Sequence, residues 1–150
     1  MRPLLIGNFA AKRNRQRPPT ADGDIYIQYV TSHLKLNGAN GATSFPDTAP
    51  QSPTRIWTPV GNAQISTAQS KWGGSSYLGD GTGDGLTTPD DTGLRLGTSN
   101  FTIDLWTFVI NAGLNYYLAT KCIAATTAGA FILGAFSGAF KIWTGTGASW

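Results

Sequence analysis

The chain has 150 residues, a length that suits one domain with a sizeable core. Only 13% of them are charged, against about 25% in an ordinary globular protein. Gly occurs 19 times, Pro 8 times and Glu not at all, so the chain is poor in helix formers and rich in turn formers. The net charge of +3 is unevenly placed. Residues 1–21 hold Arg2, Lys12, Arg13, Arg15 and Arg17 and no acid, whereas six bases face eight Asp in the remainder. A body this close to neutral lacks the field that grips nucleic acid.

Residues 1–23 read as a separate arm: an apolar patch (Leu4, Leu5, Ile6, Phe9), a basic run (Lys12, Arg13, Arg15, Arg17) and Pro18-Pro19. Pro-Pro favours an extended conformation and stops a helix. The apolar residues point to a protein partner, because DNA gives them little to bury against. No aromatic is interleaved among the bases, so sequence-specific nucleic-acid recognition is not expected. The bases follow the apolar patch, which is the wrong order for a signal peptide, and no apolar run nears the ~20 residues of a membrane-spanning helix.

The body, residues 24–150, reads as short strands between turns. Ile25–Val30 is rich in strand formers, and His33–Leu36 alternates polar and apolar. A Pro-containing loop follows, then short strands at Arg55–Trp57, Ser75–Leu78 and Leu86–Thr88. The clearest strand is Phe101–Ile110, with Phe101, Ile103, Leu105 and Val109 on one face and Thr102, Asp104, Trp106, Phe108 and Ile110 on the other. Apolar residues on both faces of its second half predict burial between layers. Tyr116–Cys122, Ala130–Ala135 and Phe140–Thr144 complete the series. Trp72, Trp106 and Trp143 are expected to fill an inter-sheet core, and Cys122 is expected to be a buried, inert thiol. The expected class is all-β, a sandwich or barrel.

Four stretches, in order, carry a resemblance. They are His33–Phe45, Gly61–Leu78, Asp80-Gly81-Thr82-Gly83-Asp84-Gly85-Leu86 and Asn100–Trp106. Together they resemble the laminin-G-like, concanavalin A-like jelly rolls of phage and bacterial proteins. Gly79 stands as an insertion against that pattern, and Gly85 occupies a place where the family prefers an aromatic. The resemblance implies a jelly-roll β-sandwich with further strands beyond Trp150. With the arm, it implies a virion structural protein assembled in the cytoplasm of a bacterial host. The leading expectation is a homo-oligomeric tail fibre or adhesin, held to other virion proteins by the arm and presenting the sandwich to host-surface glycans. A capsid decoration protein is the alternative in that setting, and a free carbohydrate-binding lectin module is the alternative from another class.

Candidate site residues follow from chemistry. Trp57, Tyr116, Tyr117 and Trp150 are candidates to stack on a sugar. Asp80 and Asp84 are the candidate Ca²⁺ ligands, but Asp beside Gly is chiefly turn chemistry, so neither metal nor cofactor is expected. Gly81, Gly83 and Gly85 are expected to supply positive φ in a hairpin-like turn. No enzyme is expected. A glycosidase needs two carboxylates about 5–9 Å apart, and Asp104 stands alone on its strand. His33, the single histidine, has no serine elbow near it.

Overall fold

The computed structural model describes residues 4–13, 26–51, 55–96, 100–111, 113–121 and 131–144. Within them the protein is all-β, with antiparallel sheets and two single-turn 3-10 helices, η1 (Ile27–Tyr29) and η2 (Thr92–Leu94). The strands are β1 (Leu4–Arg13), β2 (Val30–Leu34), β3 (Phe45–Pro46), β4 (Ile56–Val60), β5 (Gln64–Ser66), β6 (Ser76–Gly79), β7 (Gly85–Thr87), β8 (Phe101–Val109), β9 (Tyr116–Lys121), β10 (Phe131–Phe136) and β11 (Ala139–Thr144). No helix among these residues is long and apolar enough to cross a membrane.

The largest sheet is organised around β1. One edge of β1 pairs with β8 along its length, from Leu4 opposite Val109 to Arg13 opposite Phe101, with a register shift between Gly7 and Phe9. The other edge is shared: β6 takes Leu4–Ile6 and β2 takes Phe9–Lys12. β5 then extends the sheet beyond β6. Part of the expected arm therefore runs as a strand on its own chain's body, with backbone partners on both edges. Arg15, Arg17 and the boundary expected at residue 23 lie outside the described residues, as do Cys122 and Trp150.

Two three-stranded sheets, β3-β4-β7 and β9-β10-β11, cover the inner face of this large sheet. Leu34, Leu36, Phe45, Ala63, Ile65 and Tyr77 form the core under the first, with Trp57 and Leu86 packed against it. Tyr116, Leu118 and Ala135 form the core under the second, with Leu105 and Val109 of β8 against it. Full burial of a side chain such as Ile65 (1% exposed) stabilises the fold by about 1.5–3 kcal/mol.

Several expectations change. The chain turns at Tyr26–Tyr29, where the Tyr29 N–H donates to the Tyr26 carbonyl at 2.9 Å, so the first body strand begins at Val30. The glycine run is no hairpin: it carries the chain from β6 in the large sheet to β7 in a small one. Gly81 (φ +88°) and Gly83 (φ +74°) do adopt left-handed backbone, but Gly85 is an ordinary strand residue of β7. β8 alternates as expected, yet Trp106 and Phe108 face out of the sheet and not between layers. Trp72 (52% exposed), Trp106 (45%) and Trp143 are surface residues, so the inter-sheet core is built instead from aliphatic side chains, Phe45, Tyr77 and Tyr116.

Candidate functional site

The two small sheets leave a cleft of about 860 Å³ between them. Leu34, Leu36 and Tyr77 of the first core and Tyr116 and Leu118 of the second all line it, and Ile103 of β8 contributes from the large sheet. Its size is that of a small-molecule pocket. Trp57, Tyr116 and Tyr117, predicted separately as aromatic contacts, are brought together on its lining. Two of them are already committed: Trp57 Nε1 donates to Asp47 at 3.2 Å, and the Tyr116 hydroxyl donates to the Asn111 carbonyl at 3.0 Å. Tyr117, 64% exposed, packs edge-on against Phe136, and Phe136 packs edge-on against Trp143.

Charge gathers at one side of the cleft. Asp90, just after β7, accepts from Lys121 at the end of β9 and from Arg95 beyond η2. Bonds from Arg95 and Lys121 hold the Asp90 carboxyl down to about 2. Thr88, two residues before it in the chain, also lines the cleft, and its hydroxyl is buried with no hydrogen-bond partner.

A second polar centre ties the Pro-containing loop to β2. The fully buried Asp47 carboxylate accepts from Ser32 Oγ (2.7 Å), the His33 and Ala49 N–H groups (both 2.9 Å), Trp57 Nε1 and Arg55. Arg55 also donates to the Thr31 carbonyl and, at 2.8 Å, to Asp91. Burial pushes the Asp47 carboxyl up, but the bonds from His33, Ala49, Ser32 and Trp57 outweigh it and hold the group below its ordinary value. So many fixed donors leave Asp47 no room for chemistry on a ligand; it is a structural hub. His33 is likewise engaged, with Thr48 Oγ1 at 3.1 Å from its Nδ1.

Asp80 and Asp84 are spent on their own turn. Asp84 accepts from the N–H groups of Asn62 and Asp80, and Asp80 accepts from the Thr82 N–H and the Asn62 side chain. A Cβ on Gly61 (φ +68°) would lie 2.4 Å from Asp84 Oδ1, so glycine there lets the β4–β5 turn close against this carboxylate. Among the described residues no group of three or more His, Cys, Asp or Glu side chains converges as a metal site.

The outer face of the large sheet carries a feature that sequence patterning assigned to the core. Trp72, in the β5–β6 loop, meets Trp106 of β8 edge-to-face, with ring centroids 5.2 Å apart and an interplanar angle of 88°. The Lys71 ammonium lies 4.3 Å from the Trp106 centroid and 5.7 Å from that of Trp72. These three distances place the ammonium in the angle between the rings, not across Trp106 from Trp72. Gly73 and Gly74, both left-handed, turn the chain after Trp72, and Gly73 packs so closely on Asn37 that a Cβ would overlap it. Asp104, the carboxylate considered for hydrolysis, is exposed two residues from Trp106 on the same face of β8.

Comparison with protein-family models, with curated proteins and with solved structures finds no match, so the functional reading rests on this geometry.

Proposed function

We propose that the protein is a glycan-binding β-sandwich module of a phage virion, of the tail-fibre or adhesin kind, with a jelly-roll arrangement and no enzymatic activity of its own. The observation that carries the reading is the exposed Trp72–Trp106 corner with Lys71 inside it. An indole face carries negative quadrupole charge, which attracts the polarised C–H face of a pyranose ring. Lys71 supplies donors and Asp104 an acceptor for sugar hydroxyls, the latter about 7 Å along the strand from Trp106. Two large aromatic side chains left in water are otherwise an unfavourable arrangement for a soluble surface. The basic stretch Lys12–Arg17 remains the segment proposed to hold the module to other virion proteins.

The test is a glycan array read with the full chain, then with Trp106→Ala and Trp72→Ala. Saturable binding that falls at least tenfold in both variants supports the reading. A flat array, or binding untouched by both substitutions, overturns it.

A further inference from the structure

We infer that the free edge of β11 is a self-association surface, on which a second copy of this chain lays its own β11 antiparallel about a two-fold axis at Ile142. The surface belongs to a different sheet from the tryptophan corner, and the inference does not depend on glycan binding.

β11 ends its sheet, and among the described residues only β10 pairs with it. Its other edge presents a row of backbone N–H and C=O groups, which is what an added strand requires. Every residue of β11 is exposed, although Ala139, Phe140, Ile142 and Trp143 are apolar. Edge strands are ordinarily blunted by proline, by several charges or by a bulge. Here the single charge is Lys141, and the pairing with β10 runs from Phe131–Thr144 to Phe136–Ala139 without a register shift. Phe140 lies opposite Ala135 and Ile142 opposite Leu133, so both stand on the core-facing row of the sheet. They are nevertheless 66% and 54% exposed, because β11 overhangs the core that Ala135 and Leu133 reach.

The sequence of β11 selects a copy of itself as the partner. A two-fold axis perpendicular to the sheet keeps both inward rows on one side, so the axis passes through a residue and not between two. An axis at Lys141 sets the two ammonium groups directly opposite each other, which is destabilising. An axis at Phe140 sets Ile142 against the turn glycine Gly138 and leaves it uncovered. An axis at Ile142 pairs residues 140–144 with no such conflict. On the inward row Ile142 meets its own copy and Phe140 meets Thr144 of the partner subunit. On the outward row Lys141 lies across from Trp143 of the partner subunit, and symmetry makes that cation–π contact twice. Cation and indole both come from β11, so an unrelated strand lacks the match. The pairing consumes both edges and closes as a dimer.

The full chain is followed by sedimentation velocity from about 1 µM to about 1 mM. One strand pair buries less than the ~1,200 Å² of a standard interface, so a reversible monomer–dimer equilibrium weaker than micromolar is expected. Ile142→Lys, at an exposed position, is expected to leave a monomer throughout. Lys141→Gln is expected to weaken the dimer roughly tenfold, since two cation–π contacts are lost; with Lys141 on the axis the same change would strengthen it. Trp106→Ala is expected to leave the equilibrium unchanged. A monomer at the highest concentration would leave the edge to a strand of another protein and overturns the inference. So does a dimer retained in folded Ile142→Lys, an undiminished dimer in Lys141→Gln, or an assembly that grows beyond two chains. Should Ile142→Lys fail to fold by circular dichroism, Lys141→Gln decides.

Discussion

Asp90 and Lys121 join the two small sheets across the cleft, one from the segment after β7 and the other from the end of β9. The sheets otherwise rest on different parts of the large sheet, β3-β4-β7 against β2, β5 and β6 and β9-β10-β11 against β8. An exposed ion pair contributes little to global stability. Its place across an opening gives it a local effect. Asp90→Asn is expected to raise amide exchange in β9 and over residues 90–95 while the melting temperature stays nearly constant. Because the pair is accessible to salt, wild-type protein in 1 M NaCl is expected to move toward the same exchange pattern. Hydrogen–deuterium exchange at low and high salt checks this, and unchanged protection in the variant counts against the tie.

Asp47→Ala is expected to be the most damaging substitution in the body. It leaves the Arg55 guanidinium, whose side chain is 4% exposed, with only the half-exposed Asp91 as a carboxylate partner, and removes acceptors from Ser32, His33, Ala49 and Trp57 at once. Breaking a buried pair by deleting one partner costs about 3–5 kcal/mol. Trp57→Phe removes a single neutral donor to the same carboxylate and is expected to cost about 1–2 kcal/mol, mostly from the lost bond. Urea titrations of the two variants give the comparison. Equal losses would show that the hub is no more than the sum of single bonds.

Strand positions were legible in the sequence because turn formers bracket them; β6, β8, β9, β10 and β11 each fall within a residue or two of their expected ends. What alternation cannot tell is which face is inside when both carry apolar residues. Trp106 and Phe108 alternate correctly with Leu105 and Thr107, but apolar residues on both rows suggest that both are buried, whereas only the row of Ile103, Leu105 and Val109 faces inward. The Trp72–Trp106 corner was invisible for a second reason: its partners are 34 positions apart and on different elements. The Asp47 hub draws on Ser32, Arg55, Trp57 and, through Arg55, Asp91, so no local spacing announces it. The one available signal was a lone Asp between prolines in a loop followed by an Arg and a Trp. The basic run and prolines of residues 1–23 mark that segment as an arm, whereas the pairing of β1 within it is set by backbone partners far away at β2, β6 and β8.

Stability is expected to fall in two steps on acidification. Burial, aided by the Lys35 charge and opposed by Asp47, holds the His33 imidazole below its ordinary value of 6.5. The folded state therefore favours neutral His33, and its contribution is present above pH 6.5 and lost as pH falls through the lower folded value. Asp47 and Asp90 are held below 3.8, so theirs is present above that pH and lost beneath it, toward about 2 for Asp90. Both steps have the same sign, and acid destabilises throughout. Urea midpoints are expected to drop between pH 7.5 and 5.5, and again between pH 4 and 2.5. His33→Gln is expected to flatten the first step and keep the second; a variant that retains both would assign the first step to another group.

The β10–β11 hairpin turns through Ser137 (φ +52°) and Gly138 (φ +79°), a two-residue loop with both central residues left-handed. This mirror-image turn matches the twist of its flanking strands, and Asn-Gly is its preferred sequence. Serine carries a Cβ penalty there of roughly 1 kcal/mol, which Asn offsets by bonding locally. The Ser137 N–H donates to Asn115 Oδ1 at 3.1 Å, and this backbone contact survives any side-chain change. Ser137→Asn is therefore expected to stabilise the β9-β10-β11 sheet by about 0.5–1 kcal/mol, of the order seen when backbone preference is matched to conformation. Gly134→Ala is expected to do the reverse in the same hairpin. A Cβ there would lie 2.2 Å from the Phe136 ring and 2.4 Å from the Tyr116 carbonyl, so the ring and the strand pairing could not both be kept. Residue-level exchange protection across β9–β11 reads both effects. Protection that rises with Ser137→Asn and collapses with Gly134→Ala would establish that this sheet folds around its turn. A loss with Ser137→Asn would mean that the serine is selected for something other than backbone fit.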